Sequence, residues 1–223
     1  MIKFTCMQII WQGQSCFQII TSPGKNSQVN IVIDPFDESL GLRVPKLEAD
    51  ILLVTHQHHD HNNVKAVSGS PFLVQGPGEY EVKGGFVRGI SSFHDSSLGK
   101  ERGLNTIYTI ESEDMRLCHL GDFGQKELTS EQIEEIGDVD ILMIPVGGVY
   151  TISAKEALRL MSQIEPSIVI PMHYQLPKLK LKLDGLEKFL KTMGIKKIEP
   201  LDKFSIKKKD ISSEEAKIII LKP

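Results

Sequence analysis

The chain has 223 residues, of which 40% are hydrophobic and 25% are charged, with a formal net charge of −3. This composition is ordinary for a globular protein, and it excludes collagen-like, low-complexity and intrinsically disordered chains. With no strong basic excess and no apolar run long enough to cross a membrane, we expect neither nucleic acid nor a membrane as a partner.

The first half of the chain is predicted to consist of strands and turns. Runs rich in isoleucine, valine, leucine and phenylalanine are separated by polar or glycine-containing segments, which is typical of a sheet-forming region. We expect strands at 2–10, 15–21, 29–34, 50–55, 71–75, 79–90, 104–111 and 115–120, with a hairpin loop at 22–28.

The second half alternates strands with helices. Thr129, Ser153 and Asp184 are each followed three residues later by Gln or Glu, which predicts a capping box at the start of three helices. Gly194 is expected to end the third helix. Strands are predicted between and after these helices, at 139–145, 167–172, 203–208 and 216–221. This order of elements indicates a single α/β domain over residues 1–223.

The cysteines predict free thiols. Cys6, Cys16 and Cys118 are odd in number and widely spaced, which argues against a disulfide framework and against a cysteine-based zinc site. The N-terminal residues have no long apolar core of the kind found in signal peptides. We therefore expect a cytoplasmic protein.

Four potential metal ligands follow the predicted strand at 50–55. His56, His58, Asp60 and His61 lie within six residues, and imidazole and carboxylate groups suit zinc, iron or manganese. Successive side chains of an extended chain point to opposite sides. In a tight loop, His56 and His58 can therefore face one metal while Asp60 and His61 face another, and we expect His59 to point away.

The sequence T-H-x-H-x-D-H after an apolar strand resembles the signature of the metallo-β-lactamase superfamily. Further segments resemble the branch that contains ascorbate-6-phosphate lactonase and predicted zinc-dependent hydrolases: IDPF at 33–36, GPGEYEV at 76–82, HLGD at 119–122 and PMHY at 171–174. The resemblance implies a four-layer αβ/βα sandwich with a binuclear metal site at one edge.

The resemblance also implies roles for individual residues. One metal ion would be held by His56, His58 and His94, the second by Asp60, His61 and His173, and Asp122 would bridge the two ions. Asp60 would also orient or deprotonate the nucleophile. Asp34 could fix the tautomer of a ligand histidine, although a plain turn-forming aspartate is the alternative. His119 is either a partner of the ligands, a leaving-group acid or a packed residue at the sheet edge.

These roles predict a metal-dependent hydrolase of a small-molecule substrate. Two divalent ions, Zn²⁺ first with Mn²⁺ or Fe²⁺ as alternatives, would activate a hydroxide toward a small ester, lactone or phosphoester-like bond. Two alternatives stay open: a phosphodiesterase or nuclease, and a non-enzymatic metal-binding domain of the same fold. The sequence also leaves open a homo-oligomer.

The charge is distributed unevenly along the chain. Residues 176–223 hold 13 lysines and 7 acidic residues, whereas residues 1–175 hold 13 basic and 22 acidic residues. The lysine-rich segment is either a solvated surface or a basic rim that attracts an anionic substrate. Lys178, Lys180 and Lys182 are the residues that could bind nucleic-acid phosphates in the nuclease alternative.

Overall fold

The computed structural model describes residues 6–24, 27–212 and 215–223. Its strands are β1 (Met7–Gly13), β2 (Cys16–Gly24), β3 (Ser27–Ile33), β4 (Leu47–Glu48), β5 (Ile51–Leu53), β6 (Val67–Ser68), β7 (Phe72–Val74), β8 (Gly78–Val82), β9 (Gly85–Phe93), β10 (Leu104–Ser112), β11 (Met115–His119), β12 (Ile141–Pro145), β13 (Ile168–Met172), β14 (Phe204–Ile206) and β15 (Lys217–Ile218). The α-helices are α1 (Ser130–Ile136), α2 (Ala154–Ile164) and α3 (Leu186–Thr192), and 3-10 helices lie at Glu38–Leu40, Val64–Ala66 and Lys208–Asp210.

The first sheet has the strand order β14-β1-β2-β3-β5-β7. β3, β5 and β7 are parallel, with Ile33 paired to Leu53 and Leu53 paired to Val74. Because parallel strands end at the same edge of a sheet, the segments that follow Ile33 and Leu53 are neighbours. This edge brings Asp34 close to the histidine-rich loop.

The second sheet has the strand order β15-β13-β12-β11-β10-β9-β8. β11, β12 and β13 are parallel, and β9 runs in the same direction because both β9 and β11 are antiparallel to β10. The carboxyl ends of β9, β11 and β13 therefore share one edge. His94, Asp122 and His173 lie just beyond these three strand ends.

The two sheets pack face to face around one continuous hydrophobic core. Two polar contacts cross between them near the edge that carries the histidines. The hydroxyl of the fully buried Tyr108 donates to the carbonyl of Val54 at 2.9 Å, and the ring of His119 lies 2.9 Å from the carbonyl of Ser15. Since a buried polar group without a partner is destabilising, these contacts favour one alignment of the sheets. The α/β sandwich predicted from the sequence is confirmed.

The α-helices are concentrated in the second half of the chain. α1 connects β11 to β12, and α2 connects β12 to β13. The parallel connections of the first sheet instead contain the 3-10 helices at Glu38–Leu40 and Val64–Ala66. No helix in the described ranges is long and apolar enough to cross a membrane.

Two of the three predicted capping boxes are confirmed. The Thr129 hydroxyl accepts from the backbone N–H of Gln132, and the Ser153 hydroxyl accepts from that of Glu156, with the reciprocal bond present in both boxes. These boxes satisfy backbone donors that the first helical turn leaves unpaired, which is why both helices begin where the sequence predicts.

The predicted capping box at Asp184 is wrong. Gly185 is the N-cap residue of α3, and the Asp184 carboxylate pairs with Lys188 at 2.6 Å instead. The backbone of Asp184 is held by two loop contacts, since its N–H donates to Gly147 and its carbonyl accepts from Gln175. Those tertiary contacts displace the helix start by one residue.

Two further boundaries differ from the prediction. The single strand predicted at 79–90 is a hairpin, because Lys83 and Gly84 both have positive φ and form a two-residue turn between β8 and β9. The loop predicted at 22–28 is shorter, since β2 continues to Gly24 and β3 begins at Ser27. Residues 2–5 of the first predicted strand, and residues 25–26 of this loop, lie outside the described residues.

We predict that Ser153→Ala lowers the free energy of unfolding by about 1 kcal/mol, because it removes the side-chain acceptor at the start of α2. Ser162→Ala is the matched control, since Ser162 is exposed on the same helix and bonds only the carbonyl of Leu158. Urea unfolding of both variants measures the difference. Equal midpoints would contradict the role assigned to Ser153.

Candidate metal centre

The histidine-rich loop leaves the carboxyl end of β5 and turns tightly. The backbone N–H groups of His61 and Asn62 both donate to the carbonyl of His58, at 2.9 and 3.1 Å. His56, Asp60 and His61 are buried, whereas His58 is exposed at the pocket surface. The turn therefore directs the ligand-type side chains of one short segment into two groups.

The first group contains three histidines. His56 Nε2 lies 3.1 Å from His58 Nδ1, and the His94 ring centroid lies 4.7 Å from that of His56 and 5.1 Å from that of His58. One nitrogen of each ring lies within 4.8 Å of the others, which is compact enough to hold one metal ion. The structure thus brings together the three residues predicted for the first metal.

The second group contains two carboxylates and two histidines, all buried: Asp60, His61, Asp122 and His173. His61 Nε2 lies 3.5 Å from Asp60 Oδ2, and His173 Nε2 lies 3.9 Å from the same oxygen. These are the side chains predicted for the second metal, together with the predicted bridging aspartate. His59 belongs to neither group and is exposed, although it lines the pocket that opens beside them.

Asp122 lies between the two groups. Its Oδ1 is 3.2 Å from His61 Nε2, while its Oδ2 is 3.2 Å from His173 Nε2 and 3.3 Å from His94 Nε2. Ligands placed tetrahedrally at ~2.0–2.1 Å from Zn²⁺ lie ~3.3–3.4 Å apart. The spacing of these donor atoms is therefore that of a coordination shell, and Asp122 contacts members of both groups.

Unpaired buried nitrogens give an independent test of whether a cation fits. His61 Nε2 and His173 Nε2 are buried and have no hydrogen-bond partner among the described residues. An unpaired polar atom in a protein interior is unfavourable unless a ligand satisfies it. Both nitrogens face carboxylate oxygens, so a bound cation would satisfy nitrogen and oxygen together.

In the second group, the charges of the carboxylates and the histidines shift one another's pKa values. Burial opposes ionisation of Asp122, but the charges of His173 and His61 hold its pKa well below the usual range. Burial likewise opposes protonation of His173, but Asp122 raises the pKa of His173 to about 9. In the first group, burial and the charge of His61 lower the pKa of His56 to about 2. A metal would replace protons on His61 and His173, so binding there is coupled to proton release.

Asp34 holds His61 in position. Its Oδ2 lies 2.8 Å from His61 Nδ1 and accepts from the Thr55 hydroxyl at 2.7 Å, while its Oδ1 accepts from the Thr55 backbone N–H. With the Nδ1 proton of His61 directed at Asp34, Nε2 is left unprotonated, and its lone pair is available to a metal ion. The contacts favour the predicted tautomer-fixing role over a plain turn residue.

Both ring nitrogens of His119 are engaged. Nε2 lies 2.9 Å from the carbonyl of Ser15, and Nδ1 accepts from the backbone N–H of Gly121 at 3.1 Å. Burial lowers the pKa of His119, so the ring is neutral and donates through Nε2. Since Gly121 precedes Asp122, His119 supports the turn that carries Asp122 and has no free nitrogen for leaving-group chemistry.

Several residues around the centre carry no motif in the sequence. The Gln14 amide donates to Asp60 Oδ2 at 3.4 Å, and the Ser15 hydroxyl donates to Asp122 Oδ1 at 3.3 Å. A pocket of about 310 Å³ opens over both groups, and it is lined in addition by His59, Arg102, Tyr150 and Leu181. In the sequence, the only indication that Gln14 could reach the site is its position in the short turn between two predicted strands.

Two glycines allow the backbone to approach the ligand segments. A Cβ on Gly124 would overlap the carbonyl of His94, and a Cβ on Gly147 would overlap the carbonyl of His173. Neither glycine has a positive φ. Glycine is required at each position because a side chain would overlap the neighbouring backbone. The positions of His94 and His173 thus depend on the loops that pack behind them.

The fold and these two groups define a class of protein, an α/β sandwich with a histidine- and aspartate-lined metal centre at one edge. The model of the beta-lactamase superfamily domain matches residues 8–173. The chain belongs to this superfamily, which confirms the resemblance carried by the sequence motifs.

Relatives with known names support this assignment. A UPF0173 metal-dependent hydrolase of Thermoplasma volcanium is 29% identical, and the match covers 75% of this chain and 83% of the relative. A UPF0173 protein of Pyrococcus abyssi is 31% identical over the same shares of both chains. The crystal structure of a protein assigned as a Zn-dependent hydrolase of the metallo-beta-lactamase superfamily, from Thermotoga maritima, has 33% identity and a TM-score of 0.77, covering 96% of this chain and 98% of that one.

We predict that Asp122→Ala binds less metal than the wild type, because its carboxylate contacts both ligand groups. His59→Ala is the matched control from the same loop region and should keep the wild-type metal content. Elemental analysis of tag-free protein reconstituted with Zn²⁺ measures both. Unchanged metal in the Asp122 variant would contradict the bridging role, and lost metal in the His59 variant would show that the loop has been misread.

We also predict that Gly147→Ala lowers metal content, because the added methyl group displaces the backbone of His173. Gly85→Ala is the control, since a Cβ there meets its nearest neighbour at 3.5 Å. Circular dichroism checks that both variants are folded before their zinc content is compared. Equal zinc content in the two folded variants would contradict the proposed packing constraint.

Proposed function

We propose that the protein is a hydrolase that uses two divalent metal ions to cleave a small ester, lactone or phosphoester-like substrate. The observation that carries the proposal is the placement of Asp122 between two groups of ligand-type side chains. The coarser class, a metal-dependent hydrolase, agrees with the names of its relatives. Zinc is the first expectation for a site of imidazole and carboxylate donors, with Mn²⁺ and Fe²⁺ as alternatives.

When bound in such a site, divalent cations lower the pKa of water and polarise the oxygen of a scissile bond. Asp60 supplies an ionised acceptor beside them: burial opposes its ionisation, but the charge of His61 and contacts with His61 and His173 lower its pKa. An ionised carboxylate accepts hydrogen bonds and donates none. Asp60 therefore orients the attacking water, and Gln14 in turn holds Asp60 in place.

The surroundings of the pocket favour a small substrate. Its volume of about 310 Å³ is at the low end of the range for small-molecule sites, and it opens directly over Asp60 and Asp122. Tyr174, the residue after His173, is buried against Trp11 with ring centroids 5.0 Å apart, and burial raises its pKa. Neither Tyr174 nor His119 lines the pocket, so neither is placed to protonate the leaving group.

We predict that removal of metal by a chelator abolishes hydrolysis and that addition of Zn²⁺, Mn²⁺ or Fe²⁺ restores it. The assay uses a panel of esters, thioesters, lactones and phosphodiesters, with metal content determined on the same samples. The restoring ion identifies the metal, and the substrate with the highest kcat/KM identifies the bond. Activity that survives complete metal removal would overturn the proposal.

One observation keeps phosphodiesters in that panel. Lys178, Lys180 and Lys182 are exposed, and Lys180 and Lys182 flank Leu181, which lines the pocket. Hydrolysis of phosphodiesters together with nucleic-acid binding that weakens steeply with salt would favour the nuclease alternative. A metal-loaded protein that is inert across the whole panel would favour the non-enzymatic alternative.

A further inference from the structure

The mouth of the metal pocket carries one strongly basic side chain, Arg102. It lines the pocket of about 310 Å³ and also a neighbouring cavity of about 490 Å³ that reaches His56 and His58. Of the described residues that line these two cavities, Arg102 is the one arginine or lysine. A permanent positive charge therefore faces the space that a substrate would occupy.

The guanidinium group of Arg102 has few competing partners. Its Nη1 lies 3.7 Å from Glu101 Oε2, and both side chains are partly exposed, so this ion pair is weak. The Arg102 guanidinium also lies 5.8 Å from the centre of the Tyr150 ring. Neither contact occupies all five N–H donors of the planar guanidinium group. The arrangement of these donors matches two oxygens of a carboxylate or phosphate group.

The loop that carries Arg102 is ordered by one carboxylate, that of Asp95. Asp95 accepts four backbone N–H groups, from Ser97, Gly99, Glu101 and Arg102, at 2.7 to 3.0 Å. Asp95 directly follows the histidine at the end of β9, so one short segment supplies both a candidate metal ligand and the arginine. Because the loop is already folded, little ordering is needed when a ligand binds.

The mouth also has an apolar part, which a strained turn holds in place. Tyr150 and Leu181 line the pocket, and Val149 has a φ of +56°. A β-branched residue is strained in this left-handed region, and the neighbouring turn is closed by a bond from the Gly148 N–H to the Ile152 carbonyl. The strained turn presents the Tyr150 ring toward Arg102 and the pocket.

Further positive charge, the same sign as that of Arg102, lies beyond the mouth of the pocket. Lys180 and Lys182 are exposed on either side of Leu181, in the lysine-rich part of the chain. Such a cluster attracts anions over a distance of about one Debye length, ~8–10 Å at physiological salt. The lysines would raise the local concentration of an anionic substrate, and Arg102 would bind its charged group.

We propose that Arg102 selects substrates that carry a carboxylate or phosphate group away from the cleaved bond, with an apolar portion against Tyr150 and Leu181. The inference rests on the proposed hydrolase function for its substrate class. It adds a specificity-determining residue that neither the metal ligands nor the family assignment supplies.

The test compares three 4-nitrophenyl esters on Zn²⁺-loaded protein: the neutral acetate, the carboxylate-bearing hemisuccinate and the phosphonate-bearing 3-phosphonopropanoate. Arg102→Met removes the charge but keeps an apolar stem, and Arg102→Lys keeps the charge but removes the planar donors. Arg159→Met, an exposed arginine on α2, is the matched control. Zinc content is measured for each variant to show that the ligand groups are intact.

We expect the wild type to prefer at least one charged ester, and the preferred ester identifies the anion. Arg102→Met should lower kcat/KM for that ester about 10- to 100-fold, mainly through KM, and change the neutral ester less than threefold. Arg102→Lys should fall between these values, and Arg159→Met should match the wild type. Equal preference for charged and neutral esters in the wild type and the Arg102→Met variant would overturn the inference.

A binding measurement separates this inference from the hydrolase proposal. If none of the esters is hydrolysed, calorimetric titration of the zinc-loaded protein with succinate still tests Arg102. We expect the Kd of Arg102→Met to be at least tenfold higher than that of the wild type and of Arg159→Met. The same affinity in all three proteins, or no binding by the wild type, would overturn the anion-recognition role.

Discussion

The buried carboxylate of Asp122 imposes the constraint on which this edge of the sandwich depends. An ionised carboxylate in a protein interior is unfavourable unless positive charge and hydrogen-bond donors surround it. Asp122 meets the imidazoles of His61, His94 and His173 at 3.2 to 3.3 Å, and they reach it from segments beyond three different strands. The carboxylate is therefore accommodated only once both sheets have assembled with their carboxyl ends facing each other.

A second carboxylate, that of Asp34, connects this arrangement to the first sheet. Asp34 follows β3, and it contacts both His61 and the backbone of Thr55 after the parallel strand β5. The result is a continuous series from Asp34 through the His61 ring to Asp122. On the second sheet His119 has a comparable task, because its ring connects Ser15 to the turn that carries Asp122. Asp34 and His119, which do not line the pocket, thus define the orientation of residues that would bind metal.

The sequence predicted the features that depend on a few neighbouring residues. The histidine-rich loop, the strand ends and the capping boxes at Thr129 and Ser153 are local patterns with local causes. The start of α3 was predicted one residue too early, because loop contacts hold the backbone of Asp184. His94 and His173 carry no strong motif of their own, so their place in the prediction came from family resemblance.

The rim of the pocket could not be predicted in this way. Arg102 and Tyr150 lie 48 residues apart in the sequence and meet at 5.8 Å only because two separate loops fold toward the same edge. One loop is ordered by the backbone contacts of Asp95, and the other by a strained turn at Val149. Neither signal can be read from hydrophobic periodicity or from the spacing of metal ligands, since both depend on backbone geometry.

This division between strand ends and loops has a consequence for how the site works. The candidate metal ligands leave the ends of buried strands, where a displacement would disturb the core, whereas Arg102, Tyr150 and Leu181 lie on connecting segments at the surface. A substitution at the rim can change which substrate binds without moving Asp122 or its three imidazoles. Membership in the superfamily therefore informs the chemistry of the centre, while under the role proposed for Arg102 the choice of substrate would reside in the loops that this chain places around it.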